Sequence, residues 1–324
     1  MKIKLRYLMN SRNIKSNLSK KFNEWADSIQ DEKVRELVRV HSIITGGAIT
    51  SLLLGEKPSD YDIYFDNFET TVKIANYYAQ KIKSAQKVHV GIGDRKFIYN
   101  GDSGQDWEIL SLGKHRVWLV IQSVGVAGEQ EVEGYRYFET IADPENVNVE
   151  QYVEELTGRL EKERKDPYQP IFSSSNAITL SNRIQVIIRF YGPPEEIHKN
   201  FDFEHCKNWW RSKDGHLELT LKALECTLNK QLVYSGSKYP LASMFRLRKF
   251  LSKDWYINVA DMLKVGYQIS ELDLNDIETL EDQLTGVDAA YFTSLIKYLR
   301  DEKEKDPSFN MGFNYLSKIL ERVF

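Results

Sequence analysis

Cysteine is nearly absent from this 324-residue chain: Cys206 and Cys226 stand alone, and neither belongs to a Cys-x-x-Cys pair. That scarcity excludes a disulfide framework and fits a reducing compartment. Long apolar runs are missing as well. No stretch approaches the length of a membrane span, and the basic opening MKIKLRYLMNSRNIK lacks the apolar core of a secretory signal. A cytoplasmic protein without membrane attachment is the expectation. Charge of one sign does not dominate, since 44 Lys and Arg against 47 Asp and Glu leave a net charge of −3. No overall positive field gathers nucleic acid, although a local basic face can sit inside a neutral total. What is present is 42% hydrophobic residues, enough to core one large or two ordinary domains.

Along the chain, apolar positions Leu18, Phe22, Trp25, Ala26, Ile29, Val34, Leu37 and Val38 recur at helical spacing, with Asp31 placed to cap the second of two helices. Ser42-Ile43-Ile44 reads as a short strand, Gly46-Gly47 as a tight turn, Ala48 to Leu54 as a short helix, and Tyr61 to Phe65 as a second strand. A helix over 70–85 precedes β-rich stretches at 87–92, 96–100 and 116–124. A charged helix over 143–167, bracketed by Asp-Pro pairs, reads as a connector. NAITLSNRIQVIIRF is a strong strand signal, closed by the turn Gly192-Pro193-Pro194. From about 207 helical patterns take over. The expected architecture is α+β, with a first domain over 1–206 interrupted by an insertion at about 85–168, and a helical domain over 207–324.

The chemistry-bearing pattern is Asp60 and Asp62, two apart in Asp-Tyr-Asp-Ile, so that a strand points both carboxylates to one face. Two such charges repel unless a cation lies between them. Hard oxygen ligands of this kind suit Mg²⁺, which also takes substrate phosphate oxygens. Upstream, the Gly46-Gly47 pair permits close backbone approach, and amides at the following helix start can hold a triphosphate.

Taken together, TGGAITSLLLGEKPSDYDI resembles the Gly-Gly turn, helix and Asp-x-Asp strand of polymerase β-type nucleotidyltransferases. Leu53-Leu54-Gly55 and Pro58-Ser59-Asp60-Tyr61-Asp62-Ile63 are similar to the wording of tRNA CCA-adding enzymes and bacterial poly(A) polymerases. The Arg-Asp pair that usually follows the glycines there is replaced by Ile49-Thr50-Ser51, a departure that loosens the CCA-adding likeness and leaves the superfamily likeness intact. The resemblance implies a polymerase β-like mixed sheet followed by helices, Mg²⁺ or Mn²⁺ as cofactor, an NTP as substrate and an RNA or tRNA 3′ end as acceptor, with a small molecule, a protein side chain or a second nucleotide as the alternative acceptor. Related gene products occur in large bacteriophages.

It also implies a third carboxylate on a neighbouring strand, for which Asp202 in Phe201-Asp202-Phe203 is the candidate and Glu108 the rival. Three such acids would serve a two-metal transfer in which the ions flank the attacking and leaving oxygens. Arg246-Leu247-Arg248-Lys249-Phe250 resembles the nucleotide-contacting Arg-x-x-Arg-Phe helix of those enzymes, so Arg246, Arg248 and Lys249 join Gly46 and Gly47 as expected nucleotide contacts. Ser235, Ser237 and Lys238 are further phosphate candidates, and Ser173 to Asn176 offer ribose or base contacts or merely a polar turn. His205 and Cys206 lack partners for zinc and read as packing residues. Trp209, Trp210, Tyr234, Tyr239 and Trp255 are either core or base-stacking positions.

Overall fold

A computed structural model describes residues 9–82, 87–92, 95–99, 116–120, 167–173, 176–284 and 304–305. Two helices come first, α1 (Ser11–Asp27) and α2 (Glu32–His41). Asn10 caps α1 by accepting from the Asn13 amide, and Asp31 caps α2 by accepting from the Val34 amide at 3.1 Å. Each cap satisfies an amide that the first helical turn leaves without a partner. The apolar stripe of α1, Ile14, Leu18, Phe22 and Trp25, is buried, and Trp25 Nε1 donates to Tyr78 Oη at 2.9 Å.

Strand β1 (Ser42–Thr45) leads through a glycine turn into α3 (Gly47–Leu53), then β2 (Tyr61–Phe65) and α4 (Phe68–Ala79). Strands β3 (Lys87–Ile92), β4 (Arg95–Tyr99) and β5 (Arg116–Val120) form their own antiparallel sheet in the order β4-β3-β5. Its Val88, Val90, Tyr99 and Val117 join the main core. The chain returns with β6 (Pro170–Ser173), β7 (Ala177–Leu180) and β8 (Ile184–Tyr191). The charged helix expected over 143–167 lies almost wholly outside the described residues, as does Glu108.

After α5 (Pro194–His198) and a 3₁₀ turn at Glu204–Cys206 come β9 (Trp209–Arg211) and β10 (Leu217–Glu218). These close a seven-stranded mixed sheet in the order β10-β9-β1-β2-β8-β7-β6, with β2 and β8 parallel and the other neighbours antiparallel. The expected boundary at 206 therefore cuts through the sheet. Strands β9 and β10 are three and two residues long, too short to show a period of two in the sequence.

The remaining described elements are α6 (Leu221–Asn229), β11 (Gln231–Leu232), α7 (Pro240–Leu251), β12 (Tyr256–Ile257), α8 (Val259–Ser270) and α9 (Ile277–Leu284). Two faces of the large sheet do different work. Ile44, Ile63, Phe65, Ile184, Val186 and Ile188 join the main core with α1, α2 and α4. Ile43 and Tyr64 pack instead with Ile197, Ile187 and Phe201. A third cluster, built on Leu54, Phe203, Leu232, Tyr234, Leu247, Trp255 and Val265, joins the end of α3 to the later helices. Among the described residues, no helix is long and apolar enough to cross a membrane.

Candidate functional site

The glycine turn and the aspartate strand are built against each other. Gly46 has φ +90°, a conformation that an L side chain rarely adopts, and a Cβ placed on it would lie 3.0 Å from Asp62 Oδ2. The backbone thus favours glycine there, and a Cβ would also crowd the neighbouring carboxylate. Thr45 lies opposite Asp62 in the β1–β2 register, which fixes this approach. Gly47 is different: a Cβ on it would meet nothing within 4 Å. The Gly46 amide donates to the Cys206 carbonyl at 3.1 Å, so it holds the 3₁₀ turn in place and is not offered to a ligand.

Asp62 sits half-buried within β2, whereas Asp60 precedes the strand and is exposed, accepting from Ser59 Oγ at 3.2 Å. The segment carrying Asp60 is held from β8. Asn182 and Arg183, both at φ +61°, make the turn from β7 to β8. Arg183 then donates from Nη1 to the Pro58 carbonyl at 3.0 Å, and its own carbonyl accepts from the Tyr61 amide at 2.9 Å.

Across the sheet, the registers set Trp209, Thr45, Asp62, Gln185 and Thr179 side by side on β9, β1, β2, β8 and β7. Residues paired in register share a face, so Asp62 belongs to a polar row on the side away from the main core. Thr45 is buried in that row and lies within hydrogen-bonding reach of three groups: the Asn208 carbonyl at 2.7 Å, the Cys206 carbonyl at 3.3 Å and His198 Nε2 at 2.9 Å. The Thr45 hydroxyl proton goes to the nearest carbonyl, which leaves its oxygen to accept from His198. Burial, with help from Lys207, lowers the His198 pKa to about 4, consistent with a neutral ring in that role.

Of the expected third acids, Asp202 has a different engagement. Its buried carboxylate accepts from Arg246 Nη1 at 2.7 Å, an ion pair between the loop before the 3₁₀ turn and α7. Among the described residues, no group of three or more His, Cys, Asp or Glu side chains is placed to hold a metal ion. The residue on β8 level with Asp62 is Gln185. Its signal in the sequence, a lone amide in the apolar run IQVIIRF, passed as part of a strand. Asp202 and Asp62 both lie close enough to Cys206 to matter electrostatically: burial pushes the thiol up, and both carboxylates add to that.

The basic helix divides. Arg246 turns toward Asp202, whereas Arg248 and Lys249 are exposed to solvent. Ser235 belongs to a network in which its hydroxyl donates to Glu204 and accepts from Lys207. His205 is wholly buried among Phe203, Phe250 and Trp255, as its reading as a packing residue requires, and both its ring nitrogens lack a hydrogen-bond partner among the described residues. Burial lowers its pKa to about 4. Trp210, Tyr234, Tyr239 and Trp255 are buried, while Trp209 is only half-buried beside Thr45. Ser174 and Ser175 lie outside the described residues.

Asp60 and Asp62 offer carboxylate oxygens, the hard donors that a divalent cation with water and phosphate ligands takes.

Comparison with known proteins adds a family. A curated relative, Gabija anti-defense 2 of Bacillus phage SPbetaL7, is 27% identical over 143 residues, which are 44% of this chain and 34% of that protein. The chain thus matches about a third of the curated relative's length. A solved structure, the Thermotoga maritima CCA-adding enzyme complexed with tRNA, aligns over 86% of this chain and 53% of its own at 11% identity and a TM-score of 0.36. At that score the likeness carries no argument. The model of the Gabija anti-defense 2 family proteins matches residues 16–230, from α1 through the sheet to α6, and by this match over more than half its length the chain belongs to that family.

Proposed function

We propose that this chain is a metal-dependent nucleotidyltransferase that moves a nucleoside monophosphate from an NTP to an acceptor hydroxyl, with an RNA or tRNA 3′ end as acceptor. The carrying observation is the contact of Gly46 with Asp62: a left-handed glycine brings the turn so close to the strand aspartate that a Cβ there would lie 3.0 Å from Oδ2. Asp60 and Asp62 would hold Mg²⁺ or Mn²⁺, which supplies charge stabilisation to the phosphates. The turn gives the backbone a close approach to the nucleotide, and Arg183 fixes the segment on which Asp60 stands. Membership of a family named for Gabija anti-defense supplies the setting, and we propose that the transfer counters that defence in a phage-infected cell.

Incubation of the full chain with Mg²⁺ or Mn²⁺, each labelled NTP in turn, and total RNA or cell extract tests this. Label should pass to an acceptor and fall about a hundredfold or more in Asp60→Ala/Asp62→Ala. Absence of transfer to any acceptor, or equal labelling by the variant, sinks the proposal.

A second reading, nucleotide binding without transfer, draws on two observations: Asp202, the expected third acid, is paired with Arg246, and the residue level with Asp62 on the neighbouring strand is the amide Gln185. It predicts that ATP binds in the presence of Mg²⁺, that Asp62→Ala weakens this binding, and that no label is transferred.

A further inference from the structure

Arg189 lies on β8 four residues beyond Gln185, within the stretch where the β2–β8 register shifts. Its side chain is almost completely buried, a costly place for a guanidinium unless its donors are met. They are only partly met. Nη1 donates to Asn176 Oδ1 at 3.2 Å, but Nη2 has no hydrogen-bond partner among the described residues, and the carboxylate of Asp282 stands 3.8 Å away. Against the guanidinium, 4.6 Å from it to the ring centroid, packs Tyr239, whose buried hydroxyl is also without a hydrogen-bond partner among the described residues. Lys238 Nζ lies 5.6 Å from the same ring.

Tyr239 is the residue from which α7 starts. That helix has no side-chain cap and no acid in its first turn, and Pro240 opens it. The next amide, of Leu241, reaches Gln283 Oε1 only at 3.5 Å. The positive end of a twelve-residue helix is thus directed at a place already rich in donors. Burial and the nearby Arg116 lower the Arg189 pKa to about 10, and burial, Arg189 and Arg116 all lower that of Lys238. Arg189 and Lys238 therefore share one field, and an acid that opposes them, Asp282, is half-exposed. Such a cluster reaches its lowest energy with an anion among the donors.

We propose that Arg189, Lys238, Tyr239 and the uncapped start of α7 form a phosphate-binding site separate from the Asp60–Asp62 pair. A phosphate group meets the donors on their own terms: two oxygens for the guanidinium, another for the tyrosine hydroxyl or helix amide, and a double charge for the lysine. A free nucleotide and the backbone of an oligonucleotide share that chemistry.

The test uses the full chain in EDTA, without metal, titrated calorimetrically with pyrophosphate, ATP and a short oligoribonucleotide. Arg189→Gln should weaken pyrophosphate binding about tenfold or more, and Lys238→Gln and Tyr239→Phe about threefold to tenfold. Asp60→Asn/Asp62→Asn should bind as the parent does, which separates this site from the transfer chemistry. Lys238 is exposed, so Lys238→Gln keeps the test intact if Arg189→Gln fails to fold, with circular dichroism as the check. Loss of ATP binding in the variants identifies a nucleotide site, and loss of oligoribonucleotide binding alone a strand-binding one. Pyrophosphate binding unchanged in Lys238→Gln and Tyr239→Phe, or no binding of any of the three ligands by the folded chain, overturns the proposal.

Discussion

Single residues carry the clearest consequences. Gly46→Ala forces a side chain into φ +90° and presses a Cβ to 3.0 Å from Asp62 Oδ2, whereas Gly47→Ala enters open space at a helix start. The first should cost about 1–3 kcal/mol, and the second should be neutral or stabilising by up to about 1 kcal/mol. Urea unfolding of the two variants checks this, and equal losses would refute the contact. Proton linkage gives a second residue-scale expectation. Burial holds His205 and His198 at about 4 in the folded chain, below the ordinary imidazole value of about 6.5. Between those values the unfolded chain binds more protons, so the contribution is complete above about pH 6.5 and is lost as pH falls toward 4. Stability should drop by a few kcal/mol between pH 7 and 4.5, with a clearly smaller drop in His205→Leu. Parallel curves for parent and variant would show that His205 is not the linked group. The paired aspartates and the glycines were readable as residue types at a spacing. That Gly46 rather than Gly47 is the indispensable one was not, because it depends on where β2 lies in space.

At the scale of elements, α7 is held by what it packs on. Leu247 points into the cluster with Phe203 and Trp255, Arg246 pairs with Asp202, and Arg248 and Lys249 face solvent. Arg248→Ala and Lys249→Ala should change stability by less than about 0.5 kcal/mol, while Arg246→Ala, which strands a buried carboxylate, should cost about 1–3 kcal/mol. Thermal unfolding of the three variants ranks them, and a flat ranking would mean that the ion pair contributes nothing. Helices α1 and α2 were legible because their apolar stripes and the Asp31 cap are local. Strand β8 was legible from IQVIIRF. Strands β9 to β12 were not, since two or three residues carry no periodicity and are made strands by their neighbours.

For the whole molecule, the cluster around Phe203 joins the end of α3, the 3₁₀ turn and the later helices. Phe203→Ala should therefore cost about 3–5 kcal/mol and should lower hydrogen-exchange protection in α7 as well as beside the turn. Loss confined to residues 200–206 would show that the two parts are only loosely coupled. What the sequence alone determined is local conformation: glycine is the residue that tolerates φ +90°, and the apolar alternation of YDIYF makes β2, with Asp62 in it and Asp60 just ahead of it. Tertiary structure decided what meets it. Strand order put Gln185 level with Asp62, an ion pair drew Asp202 to Arg246, and the stacking of Tyr239 on Arg189 brought the start of α7 and Lys238 to β8. Those pairings join residues 44 to 123 positions apart in the chain, and contacts at that separation are set by the burial of distant apolar faces, which no local pattern records.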